Sequence, residues 1–343
     1  MSLRTVVRAA IRHRAVTPIA RRCCCASYHS TRATREALET RLTDRRDVPL
    51  PPPLKQRGDH LSRPSSRAQW VATGNEAVIA ETLFELFNNQ LSSLAVNDVL
   101  SAAECDRMVQ IIETHDIDYY GEKVFPPIGC VGITQFENQA NKARSLQKRF
   151  MEEAGVDVVG RVKALLQSIV PPGLPVRLAQ EDGKSYFAGL LRLINSSALI
   201  HADYGPFDGP GWEIGAIKAQ LTWNILLKEV RGGESVVYNR FWKGKEDDDK
   251  YRDVTKSYGY SRDVIDGCES KKIAPIVGQI ALFNPRSVMS LHDRDRLSVD
   301  KNRNFHEVLA IENPEKVSRY TFSSFIGYLP PTAPEGPAII LWS

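Results

Sequence analysis

The second half of the chain changes texture. After about residue 178, short apolar or alternating runs follow one another, separated by segments rich in glycine, proline and polar residues: 186–194, 198–202, 221–227, 235–240, 272–275, 279–283, 305–311 and 318–328. Strand-length runs at this spacing predict an all-β sandwich or barrel. Eight strands in two sheets make a jelly roll, the double-stranded β-helix that cupin-like proteins use. Gly232-Gly233-Glu234 reads as a tight turn into the run at 235–240, since glycine accepts positive φ.

The preceding region is helical in pattern. Ala77, Ile79, Ala80, Leu83, Phe84, Leu86 and Phe87 form an apolar stripe at helical spacing. Ser101-Ala102-Ala103-Glu104 is a capping-box sequence and opens a helix to about His115, with Met108, Ile111 and Ile112 on its buried side. Residues 138–153 and 156–169 read as two more helices, the second stopped by Pro171-Pro172. The expected class is therefore α+β: a helical support region at 75–180 and a jelly-roll core at 181–343, interrupted by an insertion at 242–270. Within that insertion Glu246-Asp247-Asp248-Asp249 reads as a solvated acidic face. It lacks the glycine and alternate spacing of a calcium loop. The insertion is placed to serve as a lid.

Charge separates the N-terminus from the rest. Residues 1–35 carry eight arginines and no Asp, Glu or Lys. Leu3, Val7, Ala10 and Ile11 share one helical face beside a stripe of Arg4, Arg8 and Arg12, the signature of a mitochondrial transit peptide and a matrix address. The net charge of +4 is thus misleading: 37 basic residues against 41 acidic ones remain beyond this segment, which removes the main support for nucleic-acid binding. Residues 36–74 have the proline and charge content of a disordered linker. Cys23, Cys24 and Cys25 lie in the leader; Cys105, Cys130 and Cys268 are scattered, with no zinc spacing and no disulfide framework implied. No apolar run reaches the roughly 18 residues of a membrane span.

The chemistry concentrates in the strand-like half. His201 and Asp203 end the apolar stretch 190–200, and residues i and i+2 of an extended chain point to the same side. One further imidazole completes the two-histidine, one-carboxylate set that holds non-haem Fe(II) with coordination positions left open. His306 supplies it from a strand-like run, 304–311. His292 is the rival, but Asp293-Arg294-Asp295-Arg296 after it is too polar to continue a strand. Arg319 and Thr321 share a face in the run 318–322, and a guanidinium makes a bidentate fork for a carboxylate, as a dicarboxylate cosubstrate requires at its far end. Asn224 and Tyr238 are further candidates for that pocket, and Phe207, Trp212 and Trp223 for a substrate cavity. Taken singly, each of these side chains is more often structural; their joint order gives the site its weight.

With these residues in hand, the C-terminal half resembles the Fe(II)/2-oxoglutarate-dependent dioxygenases: H-x-D at His201 and Asp203, the distal His306, and Arg-x-Thr at Arg319 and Thr321. Three passages, 232–238, 278–284 and 341–343, are similar to the carrier-independent aliphatic halogenases and their hydroxylating relatives. Those halogenases have a small residue where the metal carboxylate stands, leaving room for halide; here Asp203 is retained. The resemblance implies an iron- and 2-oxoglutarate-dependent oxygenase, using O2, that hydroxylates an unactivated C–H bond of a small organic molecule with succinate and CO2 as coproducts. Two other classes stay open. One is a non-catalytic metal-binding jelly roll that senses or binds a partner. The other is a cupin-type metalloenzyme without 2-oxoglutarate, which has no need of Arg319. No P-loop, dinucleotide loop or nucleophile elbow is present.

Overall fold

The structure is a computed structural model that describes residues 70, 77–120, 124–132, 137–252, 258–284 and 304–343. Chain contacts separate residues 1–56 from 57–343, and the described residues all lie in the second unit. The expected transit peptide, nearly all of the expected linker and His292 lie outside the described residues.

Four helices precede the strand-rich half: α1 (Ala80–Phe87), α2 (Ala102–Glu113), α3 (Glu137–Arg149) and α4 (Val158–Ile169). Their ends follow local chemistry. Ser101 caps α2: its Oγ accepts the Glu104 N–H at 3.3 Å, and the Glu104 carboxylate accepts the Ser101 N–H at 2.8 Å, satisfying two otherwise orphaned donors. Asp157 caps α4 by accepting the Gly160 N–H at 2.7 Å. A π-turn at Phe150–Ala154 prolongs α3 and ends at Gly155 in left-handed conformation. Between the helices run the short strands β1 (Ser93–Val96), β2 (Asp118–Tyr119) and β3 (Gly129–Val131), and after them β4 (Val176–Leu178) and the hairpin β5 (Gln180–Glu181) and β6 (Lys184–Ser185).

The next eight strands build the core: β7 (Leu190–Leu193), β8 (Ala198–His201), β9 (Ala219–Leu226), β10 (Ser235–Phe241), β11 (Ser270–Ile273), β12 (Ile280–Phe283), β13 (Asn304–Val308) and β14 (Tyr320–Leu329). Their pairing is β12-β9-β14-β7 in one sheet and β11-β10-β13-β8 in the other. All these neighbours are antiparallel. Successive strands change sheet at every step except β10 to β11, which is the jelly-roll connectivity. The first sheet is widened by β1, by β3 and β2, and by β15 (Ala338–Trp342), which pairs with β14 and β4.

Period-two alternation divides the wide sheet into two faces. Leu221, Trp223 and Ile225 of β9, Phe322 of β14 and Leu191 of β7 join Leu83, Leu86, Met108, Ile112, Val162 and Leu166 of the helices in one buried apolar cluster. The alternate residues Thr222, Asn224, Thr321, Ser323 and Arg192 line a cavity on the opposite face, shared with β8 and β13 of the smaller sheet. The apolar side anchors the sheet while the polar side stays available for chemistry. Among the described residues no helix is long and apolar enough to cross a membrane.

The insertion is partly folded. It contains helix α6 (Lys245–Tyr251), which follows the one-turn α5 (Gly205–Asp208) in chain order. Its acidic run is not a uniform solvated face. Asp247 is 1% exposed and is gripped by both terminal nitrogens of Arg240, at 2.5 and 2.7 Å. Asp248 accepts the Trp242 indole N–H at 2.8 Å and the Tyr260 hydroxyl at 2.5 Å. Sequence polarity suggested solvation, but arginine pairing supplies what burial otherwise removes.

Candidate functional site

β8 and β13 lie side by side with the Cα atoms of His201 and His306 in register. The pairing shifts between His306–His201 and Val308–Ala198, so β8 carries an extra residue there, a bulge of the kind that re-aims side chains. Asp203 follows the end of β8. Its Oδ2 lies 3.7 Å from His201 Nε2 and 3.5 Å from His306 Nε2. One ligand atom from each residue falls within 4.8 Å of the others. The side chains expected to converge from sequence are therefore brought together.

The protonation pattern suits a cation. His201 Nδ1 lies 2.6 Å from the Leu199 carbonyl, which fixes the N–H on that side and leaves the Nε2 lone pair facing Asp203. Burial, reinforced by neighbouring His306, holds the His201 pKa down at about 4, so the ring is neutral near pH 7. Burial acts to raise the Asp203 carboxyl, but His201, a hydrogen bond from His306 and the Arg192 guanidinium outweigh it and hold it below the usual carboxylate range. The result is a neutral His201 ring and an ionised Asp203 carboxylate beside the His306 ring, side chains of the types that hold a divalent transition metal. His306 Nδ1 is buried with no hydrogen-bond partner among the described residues.

Arg319 lies one residue ahead of β14 and is 3% exposed. The Asn195 side-chain oxygen accepts its backbone N–H at 2.9 Å. Its Nε donates to the Gly233 carbonyl at 3.0 Å and one terminal nitrogen to Thr321 Oγ1 at 3.3 Å. No carboxylate pairs with it among the described residues, and burial pushes its pKa down to about 10. The Gly232-Gly233 turn makes this placement possible. Both glycines have positive φ, and a Cβ on Gly233 would lie 2.9 Å from Arg319 Cδ and 3.0 Å from its Nε.

Arg319, Thr321, His201, Asp203 and His306 all line one cavity, about 550 Å³ including its open mouth. A buried, unpaired guanidinium is costly unless an anion joins it. Asn224 lines the same space, as expected. Other candidates do not. Tyr238 lies on the outer face of the smaller sheet, where its hydroxyl bonds Glu307. Trp223 packs in the apolar cluster between sheet and helices. Phe207 is 57% exposed and stacks edge-on to Trp242 at 5.5 Å. Trp212 borders a separate surface pocket. Aromatic size alone carries no information about which face a residue takes.

Three contributors escaped the sequence reading. Arg192 of β7 lines the cavity; its signal was a charge inside an otherwise apolar strand. Asn195 positions Arg319 from a loop, and Gly233 makes room for it; both depend on chain segments far apart in sequence.

Fold and site together define a jelly-roll protein with a two-histidine, one-carboxylate cluster beside a buried arginine. The chain belongs to the family of the leucinostatins biosynthesis cluster protein S of Purpureocillium lilacinum, to which it is 88% identical over 235 residues, covering 66% of this chain and 90% of that protein. No family model matches it. Among solved structures it is similar to an N-substituted L-amino acid dioxygenase from Burkholderia ambifaria AMMD, at 15% identity and a TM-score of 0.42, covering 78% of this chain and 93% of that one. It is also similar to a 2OG-Fe(II) oxygenase family oxidoreductase from Burkholderia pseudomallei, at 12%, a TM-score of 0.40, and 74% and 92% coverage. HygX from Streptomyces hygroscopicus, with nickel and 2-oxoglutarate bound, matches at 11%, a TM-score of 0.40, and 78% and 98% coverage.

Proposed function

We propose that this protein is an Fe(II)- and 2-oxoglutarate-dependent oxygenase that hydroxylates an unactivated C–H bond of a small organic molecule, releasing succinate and CO2. The carrying observation is the buried Arg319, without a carboxylate among the described residues, in the same cavity as the His201–Asp203–His306 cluster. A metal cluster alone fits many functions. A metal cluster facing an uncompensated guanidinium fits a ligand that is anionic at the end remote from the metal.

In this reading His201, Asp203 and His306 hold iron, and Arg319 with Thr321 holds the far carboxylate of 2-oxoglutarate. Iron and cosubstrate, when bound, supply the oxidising chemistry with O2. The chain's own part is positional. The Leu199 carbonyl fixes the His201 ring, Gly233 and Asn195 fix Arg319, and the sheet-helix core behind β9 and β14 keeps the wall rigid. Retention of Asp203 supports hydroxylation over halogenation, because its carboxylate occupies the position a halide needs. The likeness to the hydroxylating relatives of aliphatic halogenases is carried by sequence passages. The relative's place in a leucinostatins biosynthesis cluster supports a natural product or its precursor as substrate. We propose too, on the arginine pattern alone, that residues 1–35 address the chain to the mitochondrial matrix; a fluorescent fusion of that segment tests it.

Succinate release is the direct test. Purified protein with Fe(II), 2-oxoglutarate and O2 should form succinate even without its substrate, at a rate well above that of Asp203→Ala. Equal rates in both would overturn the oxygenase reading and leave a binding module.

A further inference from the structure

Arg192 is the second cationic group of the cavity, and beyond its influence on Asp203 it has no assigned task. It sits on β7 opposite Thr321 of β14 on one side and Cys130 of β3 on the other. Its Nε is buried with no hydrogen-bond partner, and the guanidinium forms no ion pair among the described residues. Tyr120 first and then Asp203 offset its burial and keep its pKa raised, and Asp203 is already engaged with two imidazoles. The cavity therefore presents two guanidinium groups, Arg192 and Arg319, against one committed carboxylate. A single dicarboxylate with one end at the metal and the other at Arg319 leaves Arg192 with no ligand carboxylate of its own.

The surroundings of Arg192 differ from those of Arg319. Arg319 is held by Gly233 and Thr321. Arg192 instead shares the cavity wall with Leu190, Ile194, Ala198 and Val308. Ile194, Ala198 and Val308 pack with Tyr120 and Tyr258 in a satellite apolar cluster. Tyr258 comes from the insertion; its hydroxyl accepts the Leu199 N–H at 2.9 Å, and its ring stands edge-on to His201 at 5.7 Å. A cation on an aliphatic wall, next to the metal cluster and beneath the insertion, matches a molecule that is anionic at one point and apolar elsewhere.

We propose that Arg192 is a specificity-determining residue that binds a carboxylate of the substrate, and that the substrate is a small aliphatic carboxylic acid whose hydrocarbon part lies along Ile194, Ala198 and Val308. This inference rests on the oxygenase reading of the same site. The carboxylate sets the molecule's position, so the bond presented to the metal lies a fixed reach from the anionic end. A neutral isostere of that acid leaves Arg192 unpaired and binds more weakly.

The test is anaerobic calorimetry on the full chain in two stages. First, 2-oxoglutarate is titrated into the Fe(II)-loaded protein. Second, hexanoate and hexanamide are titrated separately into the protein saturated with both. Wild type should favour hexanoate over hexanamide by about tenfold or more, as expected for a charge-assisted pair away from bulk water. Arg192→Gln should lose that preference, Arg192→Lys should restore part of it, and both should keep 2-oxoglutarate affinity within about threefold of wild type. Retained cosubstrate binding also shows that the variants are folded. If wild type binds 2-oxoglutarate but does not prefer hexanoate, the Arg192 assignment is wrong while the oxygenase reading stands. If Arg192→Gln loses 2-oxoglutarate instead, Arg192 serves the cosubstrate and the proposal is overturned. Failure of wild type to bind 2-oxoglutarate overturns both.

Discussion

His201 and His306 are cross-strand partners in register, their ring centroids 4.1 Å apart. A sheet ladder, with a bulge beside it, sets the distance between these two imidazoles. Metal binding at this pair therefore ties β8 to β13. A ligand that binds only the folded state stabilises it by about 2.7 kcal/mol at a hundred times its dissociation constant. Anaerobic Fe(II) should raise the melting temperature by several degrees, a chelator should reverse the rise, and His201→Ala should abolish it, as measured by scanning calorimetry.

Arg319 is buried without a carboxylate partner among the described residues, so it should weaken the ligand-free protein. Arg319→Met removes an uncompensated buried charge. Its ligand-free melting temperature should equal or exceed that of wild type, while the further stabilisation by 2-oxoglutarate disappears. A variant that loses ligand-free stability yet still responds to 2-oxoglutarate would show that Arg319 is a structural cation.

Gly233→Ala should act on Arg319 from a distance. The added Cβ meets Arg319 Cδ and Nε at 2.9 and 3.0 Å, from a residue at φ +73°. The backbone strain costs about 1–3 kcal/mol, and displacement of the guanidinium should weaken 2-oxoglutarate binding about tenfold or more. Metal affinity should change little, because the atoms nearest the added Cβ belong to Ile311 and Arg319 and not to the imidazoles. Titrating both ligands separates the effects.

Glu104 gives a pH dependence remote from the site. Its hydrogen bond from Arg161 and the backbone N–H of Ser101 hold its pKa down at about 2. A carboxyl whose folded pKa lies below its unfolded value of about 4.3 contributes stability above that value. The contribution fades as pH falls from there toward 2. Glu104→Gln should therefore flatten melting temperature against pH over that window and leave its slope unchanged between pH 6 and 8. Arg161 is 37% exposed, so the amplitude is modest.

The Arg240–Asp247 pair staples the insertion. Asp247→Ala leaves a half-buried arginine without its partner and should cost about 3 kcal/mol, read by urea unfolding. Millimolar calcium should not shift the melting temperature of wild type, since these carboxylates are already engaged by Arg240, Trp242 and Tyr260.

Much of the fold was legible in sequence because it depends on local periodicity. The eight core strands were each anticipated within a few residues, and the Ser101–Glu104 capping box marked the start of α2. Strand β15 was missed, although Ala338–Trp342 is buried throughout; a short, uniformly apolar run gives no alternation to read. The H-x-D pair was visible because i and i+2 share a face. His306 was legible as part of a strand-like run, and it lies on β13. Arg192, Asn195 and Gly233 were not legible as site residues, since their roles exist only once β7, β14 and the β10 turn are brought together. Asp247 misled for the same reason: its partner Arg240 lies on the preceding strand, and polarity alone does not reveal burial.

The central claim, that His201, Asp203 and His306 together hold ferrous iron with 2-oxoglutarate, is tested most directly by visible absorption. Fe(II) and 2-oxoglutarate are added without oxygen to wild type, His306→Ala and His292→Ala. A weak charge-transfer band is expected in wild type and in His292→Ala, and none in His306→Ala. A band that survives in His306→Ala, or vanishes in His292→Ala, would contradict that claim.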